Sequence, residues 1–149
     1  MSKGGMKQPL RPGHHGFSLV ELLVTVIVVG ILAAAAIPNY MKAMERSYFQ
    51  EAESILLAIY SGERAYLLVN EFYYDVNEAG GMAEWRKINI DDPNLPSIPV
   101  SYNVNTCAAP PCFTFTATAT RPGGPCGGST RTINDNRALT GGSCWCGAC

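Results

Sequence analysis

The chain has 149 residues, 11 basic and 12 acidic, for a formal net charge of −1. That length supports one modest domain plus attachments, and the near balance of charge gives no mark of a nucleic-acid binder. The distribution is uneven: residues 1–16 hold Lys3, Lys7 and Arg11 and no acid, leaving eight basic and twelve acidic groups beyond them. A short basic, polar head ahead of a long apolar run has the form of a targeting and membrane-insertion device.

That run extends from Phe17 to Ile37, 21 residues whose one charge is Glu21. As a helix it would be about 31 Å long, matching a hydrocarbon core of about 30 Å. Basic residues before it predict a cytoplasmic N-terminus and export of the rest. Three readings compete. A cleaved signal peptide could be cut near Ala33–Ala36, but its apolar region is usually shorter and free of acid. A plain anchor would tolerate Glu21 by snorkelling, the cost at the bilayer centre being roughly 2.5–3.5 kcal/mol and less near an edge. Cleavage between Gly16 and Phe17 explains the charge instead. The new α-amine would lie four residues before Glu21, on one helical face and one turn away, near the positive helix end. The carboxylate would then be neutralised within one chain or by the amine of a neighbour, which makes Glu21 an assembly device.

The segment GFSLVELLVTVIVVGILAAAAIPNY, residues 16–40, resembles the processing and assembly segment of class III signal peptide proteins, the type IV pilins and type II secretion pseudopilins. The resemblance implies that a prepilin peptidase cuts after Gly16 and methylates Phe17. It implies that Glu21 sets subunit register in a filament, and that Pro38 with Asn39-Tyr40 continues the pattern. It also implies that helicity can be lost between Gly30 and Pro38, so the subunit can bend and extend. Its partners would be the membrane before assembly, the peptidase, the pilus or secretion machinery of the inner membrane, and other copies in a polymer at the cell surface or in the periplasm.

Beyond Pro38, which should kink the helix, apolar or small residues recur in steps of three and four. They are Met41, Met44, Tyr48, Ala52, Ile55, Ile59, Gly62, Tyr66, Val69 and Tyr73, the α-helical period. Lys42, Glu45, Arg46, Glu53, Glu63, Arg64 and Glu71 fall off that stripe. Residues 50–73 also resemble the second helical half of many pilins. Their tyrosines read as core against a sheet, with aromatic stacking for electron transport as the alternative. Residues 75 to about 100, with Gly80-Gly81 and three prolines between 93 and 99, read as an irregular loop. Trp85 there fits a satellite core better than an exposed contact. Asp91-Asp92 fits a turn better than a calcium site, since the ligand spacing of a dedicated loop is missing.

Cys112–Thr120, CFTFTATAT, alternates Phe113, Phe115, Ala117 and Ala119 with threonines, a half-buried strand with its apolar face inward. Thr130–Asn134 and Ala138–Thr140 are shorter strand candidates around an Asp135-Asn136 turn, and Val100–Asn105 offers another. The expected fold is α+β, a long N-terminal helix packed on a small antiparallel sheet. Its expected parts are a leader (1–16), a membrane and assembly helix (17–38), an amphipathic helix (39–74) and a globular head (75–149).

All six cysteines, Cys107, Cys112, Cys126, Cys144, Cys146 and Cys149, lie in the last third. The terminal CWCGAC could be spaced for metal, but behind an export signal disulfides are the better reading. Six cysteines allow 15 connectivities, and the sequence chooses none of them. The pilin resemblance agrees with a stapled C-terminal loop, although this family usually has fewer cysteines. The two histidines, His14 and His15, fall in the segment expected to be removed. That leaves no imidazole for a nucleophile or a metal. Neither an acid–base pair nor a phosphate-binding loop is spelled out, so no enzyme and no cofactor is expected.

Overall fold

The computed structural model describes residues 16–77, 80–107, 111–142 and 145–147, without the side chain of Cys146. Most of the expected leader, including His14 and His15, lies outside that set, as do Cys144 and Cys149. The chain divides into two compact units, one ending at Pro38 and the other beginning at Asn39.

Helix α1 runs from Leu19 to Asn70, 52 residues, with Gly30 and Pro38 inside it. Its helical assignment is unbroken at both positions, although Pro38 has no N–H to give the carbonyl of Ala34. The helix stops at Asn70, where Glu71 turns left-handed at φ 68°. The Glu71 N–H closes the last turn on the Leu67 carbonyl at 2.8 Å, a common helix ending. The amphipathic helix therefore ends four residues before the expected position 74. Tyr73 is buried from the following strap and not from the helix.

In the second unit the helix buries Glu45, Phe49, Ala52, Leu56, Ile59, Gly62 and Glu63. The expected stripe is thus buried at Ala52, Ile59 and Gly62, packed against the core's edge at Tyr48, Ile55 and Tyr66, and displaced at its two ends. Met41, Met44 and Val69 are exposed, while Phe49 and Leu56 point inward. Apolar residues flank the stripe on both sides, so the period is legible but its phase is not. Glu45 and Glu63, expected on the wet side, are among the most buried residues of the chain.

Opposite the helix stands a four-stranded antiparallel sheet in the order β1-β2-β3-β4. Its strands are β1 (Ser101–Thr106), β2 (Phe115–Thr120), β3 (Thr130–Asn134) and β4 (Leu139–Gly141). Tyr102, Val104, Phe115, Ala117, Ala119 and Ile133 face inward and join Phe49, Ala52, Leu56 and Ile59 in one core. Alanines at 52, 117 and 119 keep side-chain bulk low where helix and sheet meet. Tyr60 and Tyr73 both lie against the ring of Phe115, at centroid distances of 6.2 and 4.8 Å. Strand β2 begins at Phe115 and not at Cys112, and Phe113 is 66% exposed. The alternation of Phe113 with Phe115 is real in sequence, but residue 112 is fixed by a disulfide before the ladder starts.

Residues 75–100 hold more structure than their glycines and prolines suggest. Val76 forms a bridge with Val104, and helix α2 (Gly81–Trp85) leads into a 3-10 turn at Arg86–Ile88. Trp85 and Ile88 are buried in the main core. The approach between this turn and α1 requires Gly62, because a Cβ there would lie 2.3 Å from the Ile88 carbonyl oxygen. Asp92 caps a turn by accepting the Asn94 N–H at 2.9 Å.

Candidate functional site: the exposed N-terminal helix and its buried counterpart

The expected processing and assembly residues all fall in the first unit. Gly16, Phe17 and Ser18 precede the helix. The Ser18 carbonyl accepts the first helical bond, from the Leu22 N–H at 3.1 Å, which puts Ser18 at the N-cap. Glu21 stands in the first turn, three residues after the cap. Ser18-Leu19-Val20-Glu21 is therefore the S-x-x-E pattern of a capping box, a signal the reading of Glu21 as an assembly charge passed over. The helix end and its dipole favour a carboxylate at this position.

Phe17 lies two residues before α1, so the unprocessed chain does not place Phe17 and Glu21 on one helical face. That geometry requires the helix to grow upward by two residues, which a free chain end at Phe17 permits and a continuing leader need not. From Phe17 to Ile37 nearly every large apolar side chain is exposed. The helix is long and apolar enough to cross a membrane, and none of its most apolar window is buried in the protein. The one other strongly polar side chain after the first turn is satisfied locally, since the Thr25 hydroxyl donates to the Leu22 carbonyl at 2.8 Å. Glu21 is thus the one charge of an uncovered apolar surface, and among the described residues no group forms an ion pair with it.

The head handles its carboxylates differently. Glu45 accepts two bonds from Arg121, from Nε at 3.2 Å and from Nη2 at 3.0 Å. Arg121 Nη1 donates to the Pro99 carbonyl at 2.6 Å, and the guanidinium lies 4.9 Å from the centre of the Tyr48 ring. A planar, five-donor group suits this bidentate and stacked role. Glu53 accepts from Arg131 at 2.6 Å, and Arg131 also donates to the carbonyls of Gly141 and Gly142. Each pair ties α1 to one side of the sheet.

Among the described residues no cation pairs with Glu63. Its Oε2 accepts the Tyr74 N–H at 3.0 Å, while its Oε1 is buried with no hydrogen-bond partner among the described residues. Burial, with a smaller contribution from the charge of Asp75, pushes the carboxyl up to about 7. At the surface nearby, Tyr74 donates to Glu84 and accepts from Lys87. These bonds hold the Glu84 carboxyl below its usual range and the Lys87 ammonium above its own.

Cys107 and Cys112 form a disulfide, and the Cys112 carbonyl accepts the Tyr73 N–H at 2.8 Å. Cys126 is also disulfide-bonded. Among the described residues no cysteine is free and no His, Cys, Asp and Glu cluster could hold a metal. Sequence reasoning missed Glu45, Arg121 and Glu63. Their one legible signal was a carboxylate three or four residues from core positions such as Phe49 and Ile59.

Comparison with known proteins bears out the resemblance. Residues 11–37 match the prokaryotic N-terminal methylation motif. The chain is 41% identical over 70 residues to the type IV major pilin protein PilA of Myxococcus xanthus, covering 46% of this chain and 32% of the relative. It is 31% identical over 88 residues to the type II secretion system core protein G of Escherichia coli, covering 59% and 57%. A fimbrial protein of Neisseria meningitidis serogroup B is 41% identical over 66 residues, covering 44% and 35%. The matched regions therefore span between about a third and just over half of these relatives. The chain is a relative of type IV pilins and type II secretion pseudopilins, and the names of these relatives are those of pilus and secretion components.

Proposed function

From a chain that carries the N-terminal methylation motif and has pilins and secretion core proteins as relatives, we propose a filament subunit, the major pilin of a type IV pilus-like fibre. The leader is removed after Gly16, Phe17 becomes the methylated first residue, and the chain waits in the inner membrane with its N-terminus inside. Subunits then polymerise through residues 17–38, lateral packing of apolar helices supplying cohesion and the Glu21–amine contact supplying register. Gly30 and Pro38 bound the part of the helix that loses helicity when the subunit bends or stretches. The head occupies residues 75–149 and is stapled by its cysteines, with Cys144, Cys146 and Cys149 completing the bridges. The role is structural, without catalysis.

One observation carries this reading: a fully uncovered apolar half-helix with a single carboxylate in its first turn, continuous with a half-helix built into a core. A soluble domain would bury such a surface. Mass spectrometry of exported material tests it. The expected N-terminus is Phe17 bearing one methyl group. A start near Ile37 would make the segment an ordinary signal peptide, and a retained leader would make it an anchor for an exported binding domain.

A second reading has its own support. The match to core protein G is longer than that to the major pilin, 88 residues against 70. It supports a secretion pseudopilin as the second reading, with a minor pilin as the remaining alternative. Electron microscopy separates them, because a major pilin gives long surface fibres that vanish on deletion of this chain.

A further inference from the structure

The strap that leaves α1, residues 71–76, is pinned to the head through its backbone. The Tyr73 N–H donates to the Cys112 carbonyl at 2.8 Å, and Val76 exchanges two bonds with Val104, at 3.1 and 2.8 Å. Between these points the Tyr74 N–H donates to Glu63 Oε2 at 3.0 Å, so a side chain of the helix also holds the strap. Glu63 is fully buried, and its Oε1 meets no hydrogen-bond partner among the described residues. Rotation of the helix cannot release it. Its neighbour Gly62 lies so close to the 86–88 turn that a Cβ would stand 2.3 Å from the Ile88 carbonyl oxygen, and Leu56 and Ile59 fix the same face in the core. The strap is the freer partner. It departs at Glu71, whose φ of 68° already turns the chain out of the helix, and Phe72, Tyr74 and Asp75 all keep contact with solvent.

We propose that Glu63 is a proton-dependent latch on this strap: protonated, it holds residues 71–75 against the core, and on losing its proton it releases them while the sheet stays folded. A buried carboxylate with one N–H partner is far costlier than a buried carboxylic acid. The remedy is water, admitted by lifting the strap. The surrounding charges offer no other. On α1, Arg64 donates to the Tyr73 hydroxyl at 3.2 Å and feels the charge of Asp135 in the β3–β4 turn. Glu84 and Lys87 are tied together through the Tyr74 hydroxyl. Glu71 and Arg86 are exposed, Asp75 opposes a negative Glu63, and the hydroxyls of Tyr60, Tyr66 and Tyr73 bring no positive charge. The carboxyl is raised in the folded state, so its hold is full below about 4.5 and is lost as pH rises through about 7. Release would widen the cleft of about 300 Å³ in which Phe72, Tyr74 and Asp75 stand beside Thr106 and the Cys107–Cys112 bridge. Tyr73, packed on Phe115 at 4.8 Å, resists, which keeps opening rare while Glu63 is protonated. The latch belongs to the head alone and does not depend on polymerisation.

Hydrogen exchange of the full chain in detergent, read by mass spectrometry on peptic fragments, tests the latch. After correction for intrinsic exchange rates, protection of residues 72–76 should fall about fiftyfold from about pH 5 to about pH 8. Dilute urea should leave that protection unchanged, because a local opening exposes little surface. Fragments covering β2 and β3 should stay better protected and keep the urea dependence of whole-head unfolding. Glu63→Gln keeps an acceptor for the Tyr74 N–H but has no proton to lose, so its strap should stay closed across the range. Should that variant fail to fold, Asp75→Asn serves, since removing the opposing charge should make the fall with pH smaller. A strap whose protection ignores pH, a pH dependence that survives Glu63→Gln, or an unchanged fall in Asp75→Asn would overturn the proposal. So would a strap that opens only together with the sheet, at one urea dependence.

Discussion

Two stretches of one helix treat carboxylates in opposite ways. Before Pro38, Glu21 lies on an uncovered apolar surface with no ion-pair partner among the described residues. After it, Glu45 and Glu53 are each held by an arginine from the sheet, at 3.0 and 2.6 Å. A lone charge on a greasy face is answered only by another group brought to it, whereas a buried charge must be answered inside the fold. The first stretch leaves its carboxylate open, whereas the second pairs Glu45 and Glu53 and leaves Glu63 to hold a proton more tightly. That difference, more than hydrophobicity, separates a surface left open from one completed by folding.

The sharpest way to break the comparison is Glu21→Ala. The expected outcome is normal membrane insertion with complete loss of polymer, read by fractionation and electron microscopy. Normal filaments in that variant would remove Glu21 from assembly. In the head, Arg121→Ala should destabilise the full chain in detergent by about 3–5 kcal/mol, since it strands Glu45 in a buried site. Glu45→Met/Arg121→Met should be far milder, within about 1–2 kcal/mol of the parent in urea unfolding. Equal damage from both variants would mean that the ion pair itself, and not the stranded charge, matters.

Glu63 gives a prediction in pH. Its folded value, about 7, lies above its ordinary value of 4.5, so the folded state binds the proton more tightly than the unfolded state. That contribution is fully present below about 4.5 and is lost as pH rises through about 7. It amounts to something on the order of 3 kcal/mol. Asp75 adds to the cost of ionisation, while the Tyr74 N–H partly opposes it. Urea midpoints should therefore fall on passing from mildly acid to mildly alkaline solution, and Glu63→Gln should flatten that slope. A packing effect is expected of Gly62→Ala. Its new methyl meets the Ile88 carbonyl and forces the 86–88 turn aside, at about 1–3 kcal/mol. No change in unfolding midpoint would show that the turn yields freely.

What could be read in advance follows the same division. The N-terminal methylation motif was legible because its signal is local: one acid at a fixed place in an apolar run, after a glycine and before a proline. Strand β3 was legible to the residue from its short run before the Asp135-Asn136 turn, and the end of β2 from alternation of Ala with Thr, which leaves one face for the core. The phase of α1 was not legible, since Met44, Tyr48, Phe49, Ile55 and Leu56 give apolar choices on adjacent faces. Only the sheet decides among them, through Arg121 and Arg131, each more than 70 residues away. Helix α2 was hidden for a similar reason. Gly80-Gly81 signals a break, and what makes the segment ordered is Trp85 filling the core.

The Arg121 site also bears on how the head would respond to a pull along its helix. Glu45 is the first buried residue after Pro38, and positions 39–44 are exposed. Tension arriving from the N-terminal side would first reach the head interior there. It would pass through the guanidinium to the Pro99 carbonyl and to the end of β2. Two parallel bonds in a nearly dry niche break together, and they resist until water enters to replace them. The yield point of the head under load would then be set by hydration of this one site, well before the apolar layer behind it begins to part.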